Sequence, residues 1–324
     1  MDRLAWMGVI VFWCAISTAF GQQAGTAAHL KVSGENSSFE WFFLIADSGK
    51  ERRIWARNGL NPEFVTAAGS AAQLKEQVAS GIQIGWVNTA EVLIARSQGV
   101  PVKIVAAHFG ETIAKIFSDP ASGINTAWYL YGKSIGVLSP AHTSYKAVLY
   151  MNNKLGINAV AIPLGNLESN VAALKEGKIH ALYSAEGAAL GLVDRGELKI
   201  AVRLADVYPR PYTAVVTWAT EDLIRARPEL VRSFVKGTLE AVSLLQANPD
   251  YASDLYIKRT GVSRPVANKA VAELNGVLTS SGRGSGTDLL AAVEGNWRFT
   301  KDSGSVPPGT SIAVDDAVDP RFLP

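Results

Sequence analysis

Residues 64–107 read FVTAAGSAAQLKEQVASGIQIGWVNTAEVLIARSQGVPVKIVAA, and their alternation decides the fold class. Phe64-Val65-Thr66 is a strand, broken at Gly69-Ser70, which leads into a helix expected over residues 72–80. IQIGWV at 82–87 is the next strand; Asn88-Thr89 ends it, with a helix over 90–98 behind. Gly99-Val100-Pro101 then turns the chain into VKIVAA at 102–107, an apolar run of strand length. Strands that alternate with helices argue for an α/β fold with a mostly parallel sheet covered by helices on both faces.

The same grammar extends outward. Upstream, Leu30-Lys31-Val32 is a short strand, residues 34–38 form a polar loop, and FEWFFLIA at 39–46 opens a helix capped by Ser37 or Ser38. Residues 58–62 (NGLNP) stop that helix and turn the chain. A second copy starts at Gly132-Lys133, with strands at 134–138, 160–162, 179–183 and 198–202 and helices at 145–155 and 166–176. Residues 212–218 (YTAVVTW) form a return strand. The chain is then helical at 221–226, 228–247, 249–260 and 265–277, with Pro228 and Pro249 in first turns, where proline is tolerated. From Asp302 the tail is Gly/Pro-rich and largely irregular. The two halves share a grammar, not residues.

Composition narrows the function. Of 324 residues, 48% are hydrophobic and 19% charged, so the chain can bury a large core and is not disordered. Lys+Arg 31 against Asp+Glu 29, with no basic block, gives no support to nucleic-acid binding. The sole cysteine, Cys14, lies in the first apolar stretch. The rest of the chain therefore has no disulfide, thiolate metal site or cysteine nucleophile. Residues 1–23 (MDRLAWMGVIVFWCAISTAFGQQ) combine an early Arg3, an apolar middle and small residues at Ala19 and Gly21. That order reads as a secretory signal peptide, residues 1–21, cleaved after Gly21. Val11-Phe12-Trp13 before Cys14 is not a lipoprotein cleavage sequence, so no lipid anchor is expected.

Motifs for chemistry are missing. His29, His108, His142 and His180 have no ligand spacing, so neither a metal nor any other cofactor is expected. There is no nucleophile elbow, phosphate-binding loop or dinucleotide fingerprint. Gly282-Arg283-Gly284-Ser285-Gly286 follows no strand and reads as a plain loop; Asp315-Asp316 reads as solvated tail, and Trp41-Phe42-Phe43 as core. What recurs is a short polar stretch between a strand and a helix. The instances are Ser37-Ser38 beside Phe39, Gly69-Ser70, Asn88-Thr89 and His142-Thr143-Ser144. In an open sheet these lie at the carboxyl ends of the strands, where ligands bind and helix N-termini offer N–H donors. Ser184 and Glu186 follow the 179–183 strand and are expected to face the same cleft. A carboxylate there suits a ligand with an amine or several donors, as in an amino-sulfonate or a heterocyclic amine. The alternative is that Glu186 merely starts the next helix, where an acid favours the dipole.

The ordered set FLIA at 43–46, Asn58-Gly59-Leu60, Gly69, Leu74, Ala79-Ser80-Gly81, Gly85 and GVPVKIV at 99–105 resembles the solute-binding proteins of ABC importers. The nearest branch is the nitrate, sulfonate and taurine group, which includes thiamine-pyrimidine-precursor binders. GKSIGV at 132–137, ALKEG at 173–177 and RPELV at 227–231 extend the resemblance over nearly the whole chain. Ile82-Gln83 and His180 stand where many relatives carry acids, which marks a divergent subgroup. The resemblance implies a periplasmic binding protein of type II, with two α/β lobes around a cleft. Lobe one would be residues 25–117 plus 214–324, and lobe two residues 118–213. It also implies a monomeric periplasmic protein that captures a small organic solute without chemistry. That solute would be a sulfonate, amino-sulfonate, carboxylate or heterocyclic amine, delivered to an ABC permease with its ATPase subunit. Two other classes stay open: an enzyme on the same fold acting on a small heterocycle, and a sensor subunit presenting ligand to a receptor. The desulfinase type of enzyme needs a cysteine nucleophile that the mature chain lacks.

Overall fold

The strands form two five-stranded sheets joined by two chain crossings. The computed structural model describes residues 27–35, 40–67, 69–279, 281–282 and 288–323. The expected signal segment, Ser37, Ser38 and Phe39, and most of the 282–286 loop lie outside the described residues. The first run is β1 (Ala28–Glu35), α1 (Glu40–Glu51), the short α2 (Ile54–Arg57), β2 (Leu60–Ala67), α3 (Ala71–Ala79), β3 (Ile84–Asn88), α4 (Thr89–Ser97) and β4 (Val102–Ala107). The second is β5 (Lys115–Ser118), β6 (Ser134–Val137), α5 (Thr143–Leu155), β7 (Val160–Pro163), α6 (Leu167–Lys175), β8 (Ala181–Ser184), α7 (Gly187–Asp194) and β9 (Lys199–Arg203). The chain returns through β10 (Val215–Thr220) and closes with α8 (Glu221–Ala226), α9 (Pro228–Ala247), α10 (Pro249–Thr260), α11 (Arg264–Val277) and α12 (Leu289–Asp302).

The sheet orders are β2-β1-β3-β10-β4 and β7-β6-β8-β5-β9, the same topology twice. Each sheet is mixed: four strands share one direction, as expected from sequence, and one runs against them. In the first, β1 pairs in parallel with β2 and β3, while β10 runs antiparallel between β3 and β4. In the second, β6 pairs in parallel with β7 and β8, while β5 runs antiparallel between β8 and β9. The cause is the crossing. Each antiparallel strand arrives from the other half of the molecule and so enters its sheet from the opposite end. Residues 115–117, grouped with lobe one by sequence, are thereby paired in the second sheet.

Local chemistry explains most element ends. Gly69 has φ 58, in the left-handed region that glycine tolerates best, and aims the chain into α3. Ser70 Oγ accepts a hydrogen bond from Gln73 N at 3.2 Å and caps that helix. In the first half, Trp86 of β3 is 1% exposed and packs among Phe42, Phe64 and Phe234, with ring centroids 5.7, 5.4 and 5.2 Å away. Truncating such a ring costs about 3–5 kcal/mol. The core reading holds for buried Trp41 and Phe42. Phe43 is half-buried, with the Arg259 guanidinium 3.5 Å from its ring centroid.

The far C-terminal region departs from the sequence reading. Residues 289–302 form α12, and the tail beyond it is anchored. Val318 bridges Ile104 in parallel, and Asp319 N donates to Ile104 O at 2.8 Å. Asp316 is not simply solvated: it lies 3.4 Å from Arg96 and 3.8 Å from Lys103. α12 also fixes the return crossing. Thr213 O accepts from both Thr89 Oγ1 and Asn296 Nδ2 at 2.8 Å. A Cβ on Gly295 would stand 1.8 Å from Pro211 O, so only glycine lets the helix lie this close.

Candidate interlobe ligand site

Two places on the seam between the sheets gather polar side chains. The first is built on the N-termini of α3, α4 and α5. Asn88 and Thr89 open α4, and both are buried. The Thr89 hydroxyl is committed to the crossing through Thr213 O. Two residues later Glu91, 0% exposed, projects across the seam. Its Oε2 accepts from Ala71 N at 2.9 Å, the first amide of α3, beside Ser70. Its Oε1 accepts from Lys146 Nζ at 2.5 Å, and Lys146 lies on α5 of the other half. Gly69, Ser70, Asn88, Thr89 and the start of α5 thus gather around one buried ion pair. Charges taken out of water this way hold only while paired.

α5 is capped by His142, whose Nδ1 accepts from Ser144 N at 3.0 Å. Ser144 Oγ accepts from Leu138 N at 3.0 Å and lies 2.9 Å from His142 Nδ1. The histidine–serine contact resembles a nucleophile and base. Ser144 is 0% exposed and already tied to the backbone, so no substrate reaches its oxygen. Thr143 differs: its hydroxyl is buried and has no hydrogen-bond partner among the described residues.

The second place is a narrow cavity of about 20 Å³ between the halves. The β5/β8 side supplies Lys115, Phe117, Ser184 and Glu186; the other supplies Trp41, Tyr256 and Glu273. Lys115 Nζ donates to Glu273 Oε2 at 2.5 Å and to Ile113 O at 2.9 Å. Burial pulls the Lys115 ammonium below its usual range, and the Glu273 carboxylate pulls it back. Gly187 starts α7 where a Cβ would meet Tyr256 Oη at 2.2 Å, so the halves touch there. Ser184 Oγ accepts from Glu186 N at 3.0 Å and sets the turn.

Glu186 takes the cap position of α7, but its side chain makes no capping bond. Among the described residues its carboxylate has no hydrogen bond or salt bridge. Burial pushes its pKa up, and nearby His142 works against that rise. Glu186 also borders an open groove with Asn166, Arg195 and Ser263, so it stands between cavity and solvent. The rings of His142 and Tyr183 meet edge-on at 6.2 Å and link the two places. Glu91, Lys146, Lys115 and Glu273 were missed by the sequence reading. A signal was present: Glu91 sits in TAEVLIA and Lys115 in IAKIF, single charges in otherwise apolar runs.

The profile of the family described as "NMT1/THI5 like" matches residues 49–252, and the chain belongs to that family. The riboflavin-binding protein RibY of Chloroflexus aurantiacus is 28% identical over 184 residues, 55% of this chain and 51% of that protein. The taurine-binding periplasmic protein of Escherichia coli is 28% identical over 188 residues, 56% of this chain and 57% of that protein. The chain thus spans about half the length of the curated relatives it matches. The alkanesulfonate-binding protein SsuA of Xanthomonas axonopodis pv. citri, bound to MOPS, superposes with a TM-score of 0.72 at 15% identity. That superposition covers 90% of this chain and 98% of the other. The fold is the two-lobed one of periplasmic binding proteins, in agreement with the expectation from sequence.

Proposed function

We propose that this chain is the periplasmic substrate-binding component of an ABC importer, exported by cleavage of residues 1–21. It captures a small organic solute between residues 25–114 plus 214–324 and residues 115–213, without chemistry, and hands it to a permease served by an ATPase subunit. It acts as a monomer. The observation that carries this reading is the interlobe cavity, lined from both halves and bordered by the Glu186 carboxylate, which has no hydrogen bond or salt bridge among the described residues. A cleft built from two lobes suits hinge closure on a ligand. The burial of Ser144 and the lack of a mature cysteine favour capture over catalysis. The names of the relatives point to amine-bearing and heterocyclic ligands, taurine and riboflavin. Both carry the donors that Glu186 would accept, and the ligand-contacting set is Glu186, Ser184, His142 and Thr143.

The test is calorimetry and thermal melting of the mature protein against riboflavin, pyrimidines, taurine and aromatic amines. A ligand at a hundred times its Kd stabilises by about 2.7 kcal/mol, a clear rise in Tm. A saturable rise that Glu186→Gln weakens supports the reading. Melting unmoved by every compound in these classes would sink it.

A further inference from the structure

The Glu91 carboxylate lies where an external anion would otherwise sit. The first amide of α3 is among the donors left without a partner inside the helix, and such ends attract anions. Here that amide donates to Glu91 Oε2. The cation facing it from the other half, Lys146, is held by the same carboxylate. Glu91 is wholly buried, in a helix whose neighbouring residues 90 and 92–95 are all buried and apolar. Such a position offers no solvent to repay the desolvation of a charge. We infer that Glu91 is a built-in counter-anion: it fills the anion position at the α3 N-terminus, neutralises Lys146, and so sets the cleft against simple anionic ligands.

The remaining charges give the inference its direction. Lys115 is paired with Glu273, which also lies 3.7 Å from Arg203. Once Glu91 has taken Lys146 and Glu273 has taken Lys115, Glu186 is the cleft carboxylate left without a salt bridge among the described residues. Among the described residues, the seam lysines Lys146 and Lys115 and the groove's Arg195 are thus all paired, and Glu186 offers an acceptor for an amino group or ring N–H. The selected ligand is a cationic or donor-rich neutral compound, and a sulfonate bearing no amine is rejected. This rests on the proposed capture role, and it names the ligand class and the residue that sets it.

The probe is propane-1-sulfonate, titrated by calorimetry into the wild type and into Glu91→Ala, which vacates the α3 amide and frees Lys146. The wild type is expected to show no saturable binding. The variant is expected to bind at least about tenfold more tightly, a difference of about 1.4 kcal/mol. The additional change Lys146→Met should abolish the gain. Glu91→Gln, which keeps the side-chain volume, serves if the alanine variant does not fold. Saturable wild-type binding as tight as in the variant overturns the inference, and so does a folded variant that gains nothing. The wild-type measurement alone can overturn it without any variant. The importer reading fails separately, if the wild type captures no small molecule of any class. A wild type that binds propane-1-sulfonate tightly would sink the inference and leave that reading standing.

Discussion

The two ends of the interlobe seam solve opposite problems. Around Glu91 the charges have partners: Glu91 takes Lys146 and Ala71 N, and nearby Thr89 is bound to Thr213 O. Around Glu186 there is an open groove, a carboxylate without a hydrogen bond among the described residues, and a Lys115–Glu273 pair that spans the two walls. Burial penalises charge at both ends, but one end answers with an ion pair and the other leaves the charge exposed to a groove. The lesson is that polarity at a helix N-terminus does not by itself mark a ligand site. What marks it is polarity that the protein has left unanswered.

The strongest way to break that contrast is to unbalance the filled end. Lys146→Met strands Glu91 in the interior and is expected to lower unfolding free energy by about 3–5 kcal/mol. Adding Glu91→Gln should recover much of that loss, because the buried charge is gone; denaturant unfolding of both variants checks it. If the single variant is as stable as the wild type, the pair is not structural and the two ends are alike.

Next in size is Gly295→Ala, whose Cβ would press on Pro211 O. Overpacking of this kind costs about 1–3 kcal/mol, and the return crossing would shift with it. Thermal melting beside ligand affinity separates the two consequences. A variant that melts like the wild type would show that α12 does not fix the crossing.

Glu186→Gln sharpens the other end. The folded protein holds the Glu186 pKa above its unfolded value, so the folded state binds its proton more tightly. Its contribution is then present below the unfolded carboxylate pKa and lost as pH rises through the raised one. The glutamine variant lacks that loss. Its Tm should match or exceed the wild type at neutral pH, and the difference should close on acidification. A variant less stable than wild type at neutral pH would mean that the carboxylate has a structural partner after all.

The smallest effect is expected at Thr143. Its residue is 8% exposed and its hydroxyl has no partner among the described residues, so Thr143→Val should stay within about 1 kcal/mol of the wild type. Ligand affinity should fall if the hydroxyl completes the site. A loss above about 2 kcal/mol would place Thr143 with the structural end instead.

Much of the architecture was legible in the residues. Runs such as 82–87 and 102–107 are apolar with strand length, and capping residues such as Ser70 and Thr220 mark where helices begin. Those signals are local, set by backbone sterics and short-range hydrogen bonds, so one sequence carries them. The strand β5 was not visible, because four residues between two turns hold no period, and α12 was likewise unassigned, while α7 was foreseen only as the helix that Glu186 would start. The direction of β5 and β10 in their sheets depended on where the chain re-enters, a long-range matter.

For the site, the sequence marked Gly69, Ser70, Asn88, Thr89, His142, Thr143, Ser144, Ser184 and Glu186 by their position between strand and helix. It could not tell which of them face a ligand. Which polar groups are already matched depends on partners distant in sequence: Thr213 for Thr89, and Lys146 for Glu91, 55 residues away. A capping residue and a ligand-binding residue are the same chemistry locally. Only the packing of two lobes determines which donors and acceptors are already matched, and free energy favours a ligand where one is not.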